Sequence, residues 1–381
     1  MPALKQATAR RELDLLVRVG LGIEPIAPAL ARLLRELIGA EGCFIGWFDE
    51  LGTPAGFFHD SAPVSAQDLF LNNSQLFVGP DELNIFWLTR NGGLTVGNMM
   101  NPGKAFFKSN TFNLLFKACH HYHGLDLRVL VHGVIRVVVG LFRHQPQPFS
   151  EEDAYRLNLL LPALQLAVVK STQSVGKVNP MQYTGGLGSL SRLADPSAAG
   201  HMMISADALC VNMADEQATV LLRLAKHFDQ GVWLIKSMTA PPHFIQRLCL
   251  RLTGSTSTRV SLELDVAGGI LTITASWIAP NTDFNAPRLL GMHGLSIERT
   301  ILVTLTYQKS AAIDIVRSIS ELGLSPLQSR IAMFAATGGS RIECAVHHQV
   351  SKEALKKHLR EIYAAFRCLD WQELHRTLNA R

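Results

Sequence analysis

Apolar residues near the N-terminus recur at spacings of three and four: Leu13, Leu16, Val17, then Ile26, Leu30, Leu33, Leu34, Leu37 and Ile38. That is the period of an amphipathic helix, and it predicts helix across Arg11–Ile38. The period then changes. CFIGWF (Cys43–Phe48) reads as a strand, the Asp49–Pro54 segment supplies turn residues, and Ala55–His59 reads as a second strand. Ala66–Phe116 mixes helical segments with Gly/Asn-rich loops. DLRVLVH (Asp126–His132) and VIRVVVGLFR (Val134–Arg143) predict a hairpin turning at Gly133. Ser150, followed by Glu151, Glu152 and Asp153, is an N-cap with acids in the first turn, starting a helix over Ala154–Lys170. The block from about 10 to 170 is therefore α+β, built on an antiparallel sheet.

Ser171–Gly200 is rich in Gly, Ser, Pro and Asn, lacks sustained periodicity and reads as a linker. Beyond it, Met202–Ser205 and Leu209–Val211 read as a tight hairpin, and Ala214–Phe228 and Pro241–Leu252 as helices. Arg259–Val266, Ile270–Ile278 and Ile297–Tyr307 alternate as strands, the first two joined at Gly268-Gly269. This predicts a second, smaller α+β domain.

The C-terminal end is helical and well punctuated. Ser325 is an N-cap with Pro326 at the first helical position, and Gly338-Gly339 stops that helix. Ser340 caps a short helix over Arg341–His348, Ser351 caps a longer one over Lys352–Phe366, and Asp370 caps a last one over Trp371–Leu378. In the longer helix Leu355, Leu359, Ile362, Tyr363 and Phe366 form one apolar stripe, opposite Lys352, Lys356, Lys357 and Arg360. Two short helices joined by a tight turn, the second with a basic outer face, are the helix-turn-helix arrangement.

Charge reinforces that picture. The chain of 381 residues carries a net charge of only +5. From Leu324 onward nine basic residues stand against five acidic ones, so nearly all of the excess lies at this end, as contact with a polyanionic backbone requires. The six cysteines are scattered without a C-x-x-C pair and read as buried thiols of a reducing compartment. No apolar run reaches the ~18–20 residues of a membrane span, and the N-terminus lacks the apolar stretch of a signal peptide. The expectation is a cytoplasmic protein without membrane contact.

The C-terminal block resembles the LuxR-type (GerE-like) helix-turn-helix family. The resemblance lies in Leu324-Ser325-Pro326-Leu327-Gln328, in Gly338-Gly339-Ser340-Arg341-Ile342-Glu343-Cys344-Ala345, and in Val350-Ser351-Lys352-Glu353-Ala354-Leu355-Lys356-Lys357-His358 closing in Ile362-Tyr363. The spacing holds without a gap over about 50 residues. The resemblance implies a recognition helix at Ser351–Phe366. Ser351, Lys352, Glu353, Lys356, Lys357, His358 and Arg360 would meet double-stranded DNA, with His358 on the backbone. Three positions depart from the family pattern. Leu327-Gln328 stands where Arg-Glu is usual and forfeits an internal ion pair, His348 replaces a core Leu, and Ala354 replaces a Thr that meets phosphate.

The first block is similar to a GAF domain, through Leu125–Val168 with Gly140-Leu141-Phe142-Arg143, Phe149-Ser150-Glu151-Glu152-Asp153 and Leu161-Pro162-Ala163-Leu164. The second resembles a PAS fold, through Ile204–Asp207 and Asn212. Such folds hold small molecules between sheet and covering helices. Aromatic residues concentrate between Phe44 and Phe116. An apolar or aromatic effector would be held by Phe44, Gly46, Trp47, Phe57, Phe70, Phe86, Trp87, Phe106, Phe112 and Phe116, any of which could equally be core.

Cys119-His120-His121-Tyr122-His123 is an unusual cluster. His120, His121 and His123 cannot all face one ion on a helix, so it reads as a solvated helix end rather than a metal site. No enzyme motif is present: no G-x-S-x-G, phosphate loop, H-E-x-x-H or dinucleotide fingerprint. Gly186-Leu187-Gly188 neither follows a strand nor opens a helix.

The expected architecture is α+β multidomain: a GAF-like sensor over 10–170, a linker over 171–200, a PAS-like domain over 201–310, and an all-α four-helix helix-turn-helix domain over 311–381. The expected function is DNA-binding transcription regulation under a small effector, with no cofactor and no catalysis. The chain would act as a homodimer through the predicted helices Arg11–Ile38 and Ala154–Lys170. The alternative is a signal-binding protein with a degenerate DNA reader that acts through protein partners.

Overall fold

A computed structural model describes residues 2–90, 93–175, 199–225, 240–278 and 299–380. Most of the expected linker, including Gly186-Leu187-Gly188, the end of the helix expected to reach Phe228, and the start of the strand expected from Ile297 lie outside these residues. The chain forms two compact units. One comprises residues 1–194, 267–269 and 309–381, and the other residues 195–266 and 270–308.

The first unit opens with α1 (Pro2–Leu16) and α2 (Ile23–Ile38). The single helix expected across Arg11–Ile38 is broken between them, where Gly20 adopts φ +83°, a left-handed conformation that ends a helix. Next come β1 (Gly42–Phe48), β2 (Pro54–His59), α3 (Val64–Asn72), the single turn α4 (Ile85–Leu88), β3 (His123–Val131) and β4 (Val134–Arg143). His132 and Gly133, both at positive φ, make the tight β3–β4 turn. The four strands form one sheet in the order β2-β1-β4-β3, every neighbouring pair antiparallel.

The helix expected over Ala154–Lys170 is likewise two, α5 (Glu151–Asn158) and α6 (Leu161–Val175). Pro162 lies in the first turn of α6, where it needs no backbone N–H partner; one turn further into a continuous helix it would break the ladder. Ser150 and Asp153 form a full capping box at the start of α5.

The second unit holds β5 (Ala199–Ser205), β6 (Val211–Ala214), α7 (Glu216–Leu222), α8 (His243–Thr253), β7 (Arg259–Val266), β8 (Gly269–Trp277) and β9 (Thr300–Lys309). Its sheet runs β6-β5-β9-β8-β7, with β5 antiparallel to both its neighbours. Phe244, Ile245, Leu248 and Leu252 of α8 join Leu271, Ile273, Ile301 and Val303 in its core.

Where four helices were expected over 311–381 there are five among the described residues, α9 (Ala311–Glu321), α10 (Pro326–Ala336), α11 (Arg341–His347), α12 (Lys352–Phe366) and α13 (Trp371–Asn379); α9 lacks a side-chain cap to announce it. Ser325, Ser340, Ser351 and Asp370 each accept a backbone N–H at the start of the helix they precede. α1 packs on α2, α9 and α10, so Leu13 and Leu16 belong to the same buried core as Ile315, Val316 and Ile331. Among the described residues no helix is long and apolar enough to cross a membrane.

Candidate functional site

Strand alternation divides the residues of the first sheet between its two faces. Cys43, Ile45 and Trp47 of β1 fall on the face whose Leu125, Leu127, Val137 and Val139 join the core with α2 and α6. Gly42, Phe44 and Gly46 fall on the other. Register then sets Phe44 beside His59 and Gly140, Gly46 beside Phe57 and Val138, and Gly42 beside Phe142.

This second face floors an apolar cavity that opens to solvent. Ala66, Gln67 and Phe70 of α3, Leu83, Asn84, Ile85 and Leu88 around α4, Met99, and the segment from Thr111 to His121 form its walls. Thr111–Phe116 is a π-helical turn, with the Lys117 N–H donating to Phe112 O at 3.0 Å. Such turns are rare and often accompany functional sites. The Glu82 carboxylate anchors it, accepting from Thr111 N at 2.6 Å, Thr111 Oγ1 at 2.6 Å and Asn110 N at 2.8 Å. Asn84 Nδ2 donates to Thr111 Oγ1 at 2.7 Å. A Cβ at Gly46 would lie 2.3 Å from Ile85 Cδ1, so a larger residue there would push the Ile85 side chain aside.

Of the aromatic residues expected to hold a ligand, Phe44, Phe57, Phe70 and Phe116 line the cavity. Trp47 lies on the opposite sheet face because it is one residue out of phase with Phe44 and Gly46. Phe86 stacks on Phe70 from behind, with ring centroids 5.3 Å apart. Phe106 and Phe112 cluster with Phe107 and back Phe116. Trp87, beside Phe86 on α4, is half-buried.

The histidine cluster is not a solvated helix end. His121 is buried at 4% exposure and stacks on Phe142 with centroids 4.0 Å apart. Burial, together with His59 and His144 nearby, lowers its pKa to about 2, so the ring is neutral. His120, at φ +56°, points its neighbours inward while remaining exposed itself. His123 starts β3, its Nε2 3.1 Å from Pro146 O. His59, Phe142 and Cys119 complete the cavity wall, and burial pushes the Cys119 thiol up to about 11. Cys119 belongs to the cluster visible in the sequence, whereas His59 does not: the pairing of β2 with β1 puts it on the cavity face.

No known protein family matches the sequence. No curated protein matches it either. Among solved structures the chain is similar to the crystal structure of bacteriophytochrome RpBphP3 from the photosynthetic bacterium R. palustris, at 14% identity and a TM-score of 0.25, over 78% of this chain and 63% of that one. It is also similar to the sensor region of a sensor histidine kinase, at 16% identity and a TM-score of 0.16, over 47% of this chain and 63% of that one. The chain thus spans less than two thirds of either structure, and at such TM-scores neither likeness bears on function.

At the C-terminal end, five of the seven residues expected to meet DNA share one side of α12. Lys352, Glu353, Lys356, Lys357 and Arg360 are exposed, while Leu355, Leu359, Ile362 and Phe366 are buried. Among the described residues none of the four cations makes an ion pair. Ser351 spends its Oγ on the Ala354 N–H at 3.1 Å. His358 is half-buried with Nδ1 unpartnered. The turn from α11 to α12 passes through Gln349 at φ +53°. The ion pair forfeited by Leu327-Gln328 is replaced by a hydrogen bond: Gln328 Nε2 donates to Glu361 Oε2 on α12, while its Oε1 accepts from the Ser325 N–H at 2.8 Å.

Proposed function

We propose that the protein is a DNA-binding transcription regulator controlled by a small apolar or aromatic signal held in the cavity on the face of the first sheet opposite α2 and α6. The observation that carries the reading is the division of α12. Its apolar stripe is buried, and its four unpaired cations face solvent one after another along a single side. Lys and Arg so placed neutralise phosphate or bond guanine edges in the major groove. The resemblance to LuxR-type readers supports this assignment. The resemblance of the first block to GAF domains, and its aromatic cavity, support signal binding.

A LuxR-type reader would work as a homodimer on two half-sites. α1 offers a route between the two functions, because it packs against α2 below the sheet and against α9 and α10 at the start of the reader. A ligand that prefers one arrangement of these helices would shift the population of DNA-competent molecules.

A second reading is favoured by α11, whose Ile342 and Val346 lie one turn apart at 68% and 74% exposure. There the C-terminal helices would engage a protein rather than DNA. Gel-shift titration at rising salt separates the readings. The first predicts a steep loss of affinity with salt; the second predicts no DNA complex at low salt.

A further inference from the structure

We propose that His59, Cys119 and His121 bind one thiophilic transition-metal ion of the zinc or cobalt(II) class at the wall of the apolar cavity. One potential donor atom from each residue lies within 4.8 Å of the other two. The three come from two places: the end of β2, and the turn between the π-helical segment and β3. A tetrahedral ion with two imidazoles and one thiolate separates its donors by about 3.3–3.6 Å, so side-chain rotations of about 1 Å complete the site. One sulfur and two nitrogens suit zinc, cobalt and copper and do not suit magnesium or calcium.

Several features prepare the site. His120 takes the left-handed conformation, uncommon for a residue with a side chain, and this turns both Cys119 and His121 to the cavity. Gly42 makes room, since a Cβ there would stand 3.0 Å from His121 Nε2 and 2.8 Å from Ser61 Oγ. The faces of Phe142 and His144, at centroid distances of 4.0 and 5.3 Å, fix the plane of the His121 ring. Asp60, next to His59 in the chain, is held by Arg35 at 2.7 Å.

On binding, the Cys119 S–H bond breaks, its proton leaves to solvent, and the sulfur lone pair forms the metal bond. Three protein donors leave a fourth position for water, for the Ser61 hydroxyl 3.5 Å from His121 Nε2, or for a donor atom on a cavity ligand.

The test needs neither DNA nor the organic signal, so its failure is separate from failure of the regulator reading. Metal-free full-length protein is titrated with cobalt(II). The expected result is one ion per chain, with a thiolate-to-cobalt charge-transfer band and the intense visible bands of a tetrahedral site. The near-isosteric Cys119→Ser variant, checked for native circular dichroism, loses the charge-transfer band, and His59→Ala weakens binding by at least about a hundredfold. His123→Ala, at the third histidine of the cluster, leaves both unchanged. Absence of binding, binding without the sulfur band, or a band that survives Cys119→Ser overturns the proposal.

Discussion

Glu12 on α1 is buried at 4% exposure and forms an ion pair with Arg32 on α2. Burial raises its pKa, against the pull of Arg32 and of Arg317 on α9. One carboxylate thus sits among α1, α2 and α9, where the helices beneath the sheet meet the start of the C-terminal bundle. Glu12→Ala leaves Arg32 with only Glu36, its exposed helical neighbour at 3.0 Å. The expected cost is about 2 kcal/mol, below the full penalty of a broken buried pair because that second partner remains. Urea unfolding measures it, and a change under about 0.5 kcal/mol contradicts the account.

Asp153, three residues after the Ser150 cap, gathers several partners. Its Oδ2 accepts from Ser150 N at 3.0 Å, Ser150 Oγ at 3.1 Å and Arg143 Nη2 at 3.2 Å. Asp153→Ala removes half of the capping box and the tie from α5 to β4. It should lower stability by about 2 kcal/mol, read as a shift in the denaturant midpoint without change in slope.

His348 gives the C-terminal helices a defined response to acid. It stands against Phe334 and His347, its Nε2 is buried without a partner, and burial lowers its pKa. The unfolded ring titrates near ~6.5, the folded ring lower. Stability is therefore intact above about pH 6.5 and falls as pH drops from there through the folded value, because the unfolded chain takes up the proton first. His348→Leu should stabilise the protein by about 1 kcal/mol at neutral pH, by removing an unpaired polar atom. Its advantage over the wild type should widen in acid. An advantage that stays constant between about pH 7.5 and pH 5 contradicts this assignment.

Ala66 lies on α3 at the cavity wall and is 5% exposed. Ala66→Phe should fill the space without disturbing the sheet. Apolar aromatic compounds that raise the melting temperature of the wild type should then lose their effect on the variant. Stabilisation that persists in Ala66→Phe places the ligand elsewhere.

How much of this was legible in the sequence differs from element to element. The C-terminal helices were, because local chemistry sets their limits: Ser325, Ser340, Ser351 and Asp370 cap them, and Pro326 and Gly338 punctuate them. The β3–β4 hairpin was also legible, as period-two alternation around a turn that demands positive φ. Helix breaks at Gly20 and before Pro162 were missed because an apolar stripe continues in phase across them. The cavity was legible only as aromatic density. Which aromatics line it depends on phase within β1, and a step of one residue sends Trp47 to the other side of the sheet. The meeting of His59 with Cys119 and His121 depends on strand register across about 60 positions, which no local spacing encodes.

The central claim is that the exposed side of α12 meets DNA. Full-length protein and a quadruple variant (Lys352→Ala, Lys356→Ala, Lys357→Ala, Arg360→Ala) are titrated against a duplex of mixed sequence by fluorescence anisotropy at several salt concentrations. The wild type should lose affinity linearly on a log–log plot against salt, and the variant's slope should be shallower by roughly 0.9 for each phosphate contact removed. Equal affinities and equal slopes for the two proteins would contradict the claim.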